Sequence, residues 1–188
     1  MTVVSRTQYY TATSLDGFIA DESHSLDWLF TRQRDPDGLL SYAAFIAEVG
    51  AIAMGSTTYE WILEHEFAGK DPSEWVWPYE VPGWVFTHRE LAVVPGAPIS
   101  FARGDVVEVH AAMVEDAGGR NVWIVGGGDL VGQFADAGLL DDVLVTIAPV
   151  TLGAGARLLP RRLELRLEEV GRNGDFACAR YGVARSQA

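Results

Sequence analysis

Residues Val122 to Phe134 read VWIVGGGDLVGQF. Four apolar residues lead into Gly126-Gly127-Gly128, an acid follows at Asp129, and apolar residues then recur at helical spacing. The pattern is a strand running into a helix. Three glycines at one junction are costly, because glycine loses more backbone freedom on folding than any other residue. One would serve a tight turn. Three imply unusual dihedrals, or close approach of something to the backbone. The unpaired N–H groups of a helix N-terminus favour an anion, and phosphate is the obvious candidate. A plainer reading also stands: a crowded strand-to-helix turn with Asp129 as the helix cap.

On either side of this junction strands and helices alternate. Gln8–Leu15 reads as a strand that "GFIA" continues, and Ala51–Gly55 as a short buried one. Leu39–Val49 has the apolar spacing of a helix face, and "STTYEWILEH" forms another helix with Ser56 or Thr57 as its cap. His65–Gly83 is a long loop rich in Pro and Trp. "WVFTH" and Ile99–Ala102 read as strands, followed by a helix over about Asp105–Ala117. Asn121–Val125 is then a strand and Leu130–Ala137 a helix. "VLVTIAP" is apolar almost throughout, as in a strand covered on both faces. "LELRLEEV" and "FACARYGV" alternate with period two around an "RNGD" turn. This order predicts a three-layer α/β fold: a mixed, mainly parallel sheet with helices on both faces and a C-terminal antiparallel hairpin.

The chain has 188 residues, is 48% apolar and carries a formal net charge of -12. That length and composition predict one globular domain over residues 1–188. The absence of a long Lys/Arg run argues against nucleic acid and anionic membranes as partners. No stretch of about 18 apolar residues suggests a membrane span. The N-terminus "MTVVSRTQYY" lacks a signal-peptide core, and the single Cys178 fits a reducing cytoplasm. His24, His65, His88 and His110 form no close ligand pair, so no metal is expected. Any anionic ligand must be held locally, by backbone N–H groups and a few cations.

Three stretches fall at comparable strand ends: "MGSTTYEWI", "FTHRE" and "VGGGD". Ligands of open α/β sheets bind outside the carboxyl ends of strands, and two facing helix N-termini can hold a pyrophosphate. The corner Thr87-His88-Arg89 adds hydrogen bonds and a fixed positive charge. The glycines come late in the chain, not in the first βα turn, which disfavours a standard Rossmann dehydrogenase.

Together with "TATSLDGFIA", "SLDWL" and "IAPVTLGAGARLLP", these stretches resemble the dihydrofolate reductase superfamily. The closer resemblance is to its branch containing the reductase domain of bacterial riboflavin biosynthesis proteins, the RibD C-terminal domain, over nearly the whole chain. It implies an NADPH-dependent oxidoreductase, in riboflavin or folate metabolism, that moves hydride to a C=N or C=O bond of a small pteridine or pyrimidine. Gly55, Ser56, Thr57 and Thr58 would hold the pyrophosphate. Thr87, His88 and Arg89 would meet the adenosine ribose and its 2′-phosphate. Gly126, Gly127, Gly128, Asp129 and Leu130 would cradle the pyrophosphate and the nicotinamide side, and the glycine pair would carry a non-proline cis peptide. The resemblance, with the aromatic loop and the hairpin, also implies a homodimer.

Folate-reducing members place a carboxylate on the first helix. Here that helix reads "GLLSYAAFIAEV", with Glu48 at its far end and Asp35 and Asp37 before it as possible substitutes or plain loop acids. No clear extra basic cluster for a substrate phosphate stands out, though Arg157, Arg161 and Arg162 lie close together in sequence. Asp16 is the candidate catalytic acid, orienting the substrate or relaying a proton. It also reads as a turn residue before Gly17. Asp27 and Trp28 are candidates for a substrate lid, with Trp28 as ordinary core the alternative. Trp75, Trp77 and Tyr79 would cover a planar substrate or bury a dimer contact. Two other function classes stay open: a non-catalytic dinucleotide-binding dimer, and a reductase using a deazaflavin.

Overall fold

The computed structural model describes residues 5–184. Strands β1 (Thr7–Ser14), β3 (Val49–Gly55), β4 (Gly83–Phe86), β5 (Ile99–Ala102), β6 (Asn121–Gly126) and β7 (Asp142–Ala148) run parallel. β9 (Leu165–Asn173) and β10 (Phe176–Val183) form the closing hairpin, and β10 joins β7 antiparallel. The sheet order is β5-β4-β3-β6-β1-β7-β10-β9. β2 (Phe18–Ala20) and β8 (Ala156–Arg157) pair separately as a small antiparallel ribbon.

Side chains alternate across the central strands, so each strand serves two cores. Tyr9, Ala51, Ala53, Ile124, Val143 and Val145 face helices α4 (Val106–Asp116) and α5 (Gly128–Asp136). Their neighbours Tyr10, Ile52, Met54, Trp123 and Leu144 face α2 (Tyr42–Ala47) and α3 (Ser56–Phe67). This is why the central strands read as unbroken apolar runs. On the second face Tyr10 stacks on Phe45 at 4.2 Å, while the edge of Trp123 meets Phe45 at 5.4 Å.

Several boundaries differ from the sequence expectation, each for a local reason. The helix expected over Leu39–Val49 is only Tyr42–Ala47. Leu40 has φ 52°, outside the helical region, and the Ser41 hydroxyl caps the helix by accepting from Ala44 N–H. "GFIA" does not continue β1. Gly17 at φ 84° turns the chain, and the segment becomes β2. A one-turn helix, α1 (Asp27–Phe30), precedes α2. The loop after α3 turns its aromatics inward, contrary to an exposed dimer contact: Trp75 stacks on Phe67 at 5.0 Å and Trp77 packs on Tyr59.

β3 and β6 are adjacent, yet their connections leave across opposite faces, through α3 and α5. A crevice must open where neighbouring connections diverge. Opposite the Ala53–Met54 step β6 carries one extra residue, Val125, just before Gly126. Such an irregularity bends a strand where pairing ends.

Candidate active site

Two contiguous hollows occupy this crevice, sharing Thr57, Gly127 and Asp129 as their common border. The smaller is about 460 Å³ and lies over the ends of β3, β4 and β5. The larger is about 570 Å³, apolar and aromatic, over the ends of β1, β6 and β7.

The smaller hollow collects Gly55, Ser56, Thr57, Thr87, His88, Arg89, Gly127, Asp129 and Leu130. The three remaining candidate positions, Thr58, Gly126 and Gly128, line the adjoining larger hollow. Helix ends explain the chemistry. α2 and α4 start on Ser41 and Asp105, whose side chains accept backbone N–H groups of the first turn. α3 and α5 start on Gly55 and Gly127, which have no side chain to do so. Their first-turn N–H groups are left for a ligand. The hydroxyls of Ser56, Thr57 and Thr58 likewise make no protein hydrogen bond among the described residues. Asp129 is not the cap of α5. Its carboxylate accepts from Arg161 at 2.9 Å and from Gln133 at 3.2 Å.

The three glycines have three separate reasons. Gly126 has φ 148°, a conformation that side chains resist, and the Gly126-Gly127 peptide is cis. A Cβ on Gly127 would meet nothing within 4 Å and would enter the hollow. A Cβ on Gly128 would come within 2.3 Å of the Arg157 carbonyl oxygen and 2.5 Å of that of Leu158. Gly127 therefore leaves room for a ligand, while Gly128 makes room for the chain itself.

Thr87 is buried, and its hydroxyl accepts from Arg89 N–H at 2.9 Å, which fixes the corner. The Arg89 guanidinium is already held by Glu60 through two contacts of 2.9 and 2.6 Å. This bidentate partner holds the guanidinium pKa above its ordinary value. Arg103, which the sequence reading missed, lines the same hollow with no ion-pair partner among the described residues.

Asp16 lines neither hollow. Its carboxylate accepts from the Ser14 hydroxyl at 2.6 Å, Leu152 N–H at 3.0 Å and Gly153 N–H at 2.7 Å. These bonds, the Ser14 hydroxyl foremost, lower its pKa to about 2. It is an ionised clasp on the loop that leads into β8, whose Ala156 and Arg157 wall the larger hollow. Asp27 faces solvent, and Trp28 packs behind the wall with Ala148, Phe176 and Cys178. The residues of that segment that reach the hollow are Leu26 and Leu29. Tyr79 reaches it from the aromatic loop. Asp35, Asp37 and Glu48 do not; Arg34 does. Of the other cations, Arg157 lines the larger hollow, whereas Arg161 is occupied by Asp129 and Asp136.

Charge is therefore segregated. Four of the chain's 14 Lys and Arg residues line the two hollows (Arg34, Arg89, Arg103 and Arg157), against one of its 26 acids, Asp129. An acidic protein has concentrated positive charge in one crevice, which favours an anionic ligand there. Among the described residues no group of acids, histidines or cysteines is placed to hold a metal ion, and no helix is long and apolar enough to cross a membrane.

A mainly parallel sheet between two helical layers, with a glycine-lined crevice at its strand ends, defines a dihydrofolate reductase-like α/β protein. Dihydrofolate reductase from Enterococcus faecalis, solved with NADP(H), shares this fold at a TM-score of 0.56 and 13% identity, over 98% of this chain and 100% of that one. Residues 7–174 match the RibD C-terminal domain, and the chain belongs to that family. It is similar to a putative riboflavin biosynthesis protein from Shewanella sp. PV-4, with TM-score 0.78 and 25% identity over 96% of this chain and 99% of that one. It is also 29% identical over 185 residues to the uncharacterized protein YwjB of Bacillus subtilis (strain 168), covering 94% of this chain and 97% of YwjB.

Proposed function

We propose that this protein is an NADPH-dependent reductase that transfers hydride to a C=N or C=O bond of a small pteridine- or pyrimidine-type substrate. The observation that carries this reading is the pair of joined hollows, one polar and cationic, the other apolar and aromatic, meeting at Gly127. A dinucleotide has the same division. The uncapped N-termini of α3 and α5 suit its pyrophosphate, with the Ser56, Thr57 and Thr58 hydroxyls as additional donors. Arg89 and Arg103 suit the 2′-phosphate. The larger hollow suits the nicotinamide and, beside it, a second flat ring between Tyr10, Trp61, Tyr79 and Trp123.

When bound, NADPH supplies the hydride. The protein's own residues position and shield. The Gly126–Gly128 turn lets a ligand lie against the backbone, and the β2–β8 ribbon, held by Asp16, walls the ring site from water. In this reading Asp16 serves as a clasp rather than as the acid, since its lowered pKa keeps it ionised near neutral pH and it is engaged in three hydrogen bonds. Titration of the purified protein with NADPH, followed by absorbance at the nicotinamide band while pyrimidines and pteridines are added, tests the reading. Saturable binding with substrate-dependent oxidation is expected. Binding without oxidation of any candidate favours the non-catalytic alternative, and no binding overturns the cofactor assignment. The protein is expected to be a homodimer and to work in the cytoplasm.

A further inference from the structure

Arg34, a cation that lines the larger hollow, is fastened by the fold from both sides. Its neighbours are tied to the β9–β10 turn: Gln33 N–H donates to the Asp175 carboxylate at 2.8 Å, and Asp35 N–H to the Asn173 side chain at 2.8 Å. Asn173 returns a bond to the Asp35 carbonyl at 3.1 Å and another to that of Leu39 at 3.0 Å, and it is buried. The guanidinium lies 4.6 Å over the ring of buried Phe176 and donates to the hydroxyl of buried Thr146 at 3.0 Å.

This is a partly buried, permanently charged group with no carboxylate partner among the described residues. Buried charges are normally paired, because an unpaired one loses its hydration without compensation. The adjacent acids do not serve: Asp35 and Asp37 are exposed and line neither hollow. Asp129, at the far border of the same hollow, is occupied by Arg161. The Thr146 and Tyr10 hydroxyls are the polar side-chain partners of the guanidinium, both neutral, and they leave part of its five N–H donors for a ligand.

We infer that Arg34, held by Thr146 and Phe176, is an acceptor-binding subsite that selects planar substrates with an anionic edge. That edge is a carboxylate on the ring or an ionised ring imide. The inference rests on the reductase reading for the position of the reacting ring, but its test needs no turnover. Amino-edged or cationic heterocycles are disfavoured at this floor, since they present donors to a donor.

The probes are orotate for a ring carboxylate, barbiturate for an ionised imide, and 2,4-diaminopyrimidine as the donor-edged control. Their binding is followed by quenching of protein fluorescence, since Trp61 and Trp123 line the hollow. The wild type is expected to bind at least one anion more than tenfold more tightly than the control; the tighter anion identifies the source of the charge. Arg34→Gln is expected to lower that anion's affinity by about 10- to 100-fold, the range of a charge-assisted hydrogen bond. Arg34→Lys, which keeps the charge but loses the fork, falls between them. Thermal melts establish that both variants are folded; if Arg34→Gln is not, Arg34→Lys alone decides by the same comparison. Equal anion affinity in the folded variant and the wild type, equal binding of the control, or no anion binding to the wild type each overturns the subsite. NADPH titration of the same samples separates the two readings: NADPH binding unaffected by Arg34→Gln leaves the cofactor hollow intact whichever way the anion result falls.

Discussion

At the scale of single residues, the site is governed by who holds each charge. Arg89 is 56% exposed and already paired with Glu60, so a phosphate must compete for it. Solvent screening puts its contribution at the low end for a charge-assisted contact, roughly tenfold in affinity. Arg89→Gln is expected to lower the NADPH-to-NADH affinity ratio by about tenfold, and Glu60→Gln to raise it by releasing the guanidinium. Parallel titrations with both cofactors check this; an unchanged ratio in both variants removes Arg89 from the 2′-phosphate. Asp16 leads to a pH dependence. Its folded pKa, about 2, lies below the ordinary value of 3.8, so its hydrogen bonds stabilise the fold fully above about pH 4. The contribution is lost as pH falls through about 2. The melting-temperature gap between the wild type and Asp16→Ala is expected to be constant from about pH 5 to 8 and to narrow below about pH 4. A gap that widens in acid would contradict the clasp. The candidate phosphate residues were legible because their chemistry is local: a strand, then glycine, hydroxyls or Arg. Arg34 was not, because its fastening uses Thr146, Asn173, Asp175 and Phe176, all more than 100 residues away.

At the scale of elements, the β6–α5 junction separates ligand space from chain space. Gly127 has φ -82° and ψ 179°, which any residue can adopt, and its missing side chain opens on the hollow. Gly127→Val is expected to abolish detectable NADPH binding while changing stability by less than about 1 kcal/mol. Gly128→Ala is expected to do the reverse in emphasis. Its Cβ would collide with the Arg157 and Leu158 carbonyls, which are backbone and cannot rotate aside. Such overpacking costs about 1–3 kcal/mol, a loss of several degrees in melting temperature for a chain of this size. Melts and titrations on both variants are decisive together: normal NADPH binding by folded Gly127→Val would leave only a turn. The candidate lid segment shows which of its side chains reach the hollow. Leu26, just before α1, and Leu29 within it line the hollow, whereas Asp27 and Trp28 do not.

At the scale of the whole molecule, the sheet ends on β9, an edge strand with Leu165, Leu167 and Val170 exposed at 39%, 54% and 66%. Exposed edges pair with other strands unless they are blocked. The expected partner is the β9 of a second copy, giving a two-fold dimer. Light scattering should show twice the chain mass at micromolar concentration, and Leu167→Glu should shift it toward the monomer. A wild type that is monomeric under these conditions would count against the dimer. With Trp75 and Trp77 packed inward, the aromatic loop no longer supports this assembly, and the expectation rests on the hairpin and the resemblance.

The sequence by itself determined the class of fold, because that depends on periodicity. Apolar runs marked strands covered on both faces, helical spacing marked their crossovers, and period two marked the hairpin. It also located the candidate phosphate-binding strand ends, where backbone and short side chains lie within a few residues of one another. Only the tertiary structure decided what each side chain was free to do. Asp16 reads as an acid in sequence, and folding occupies it with Ser14, Leu152 and Gly153. Arg89 reads as a free cation, and folding gives it Glu60. Arg34 reads as one loop charge among several, and folding sets it in an aromatic hollow without a counter-ion among the described residues. Availability is a property of neighbours, and the neighbours that settle it are brought together by packing rather than by order along the chain.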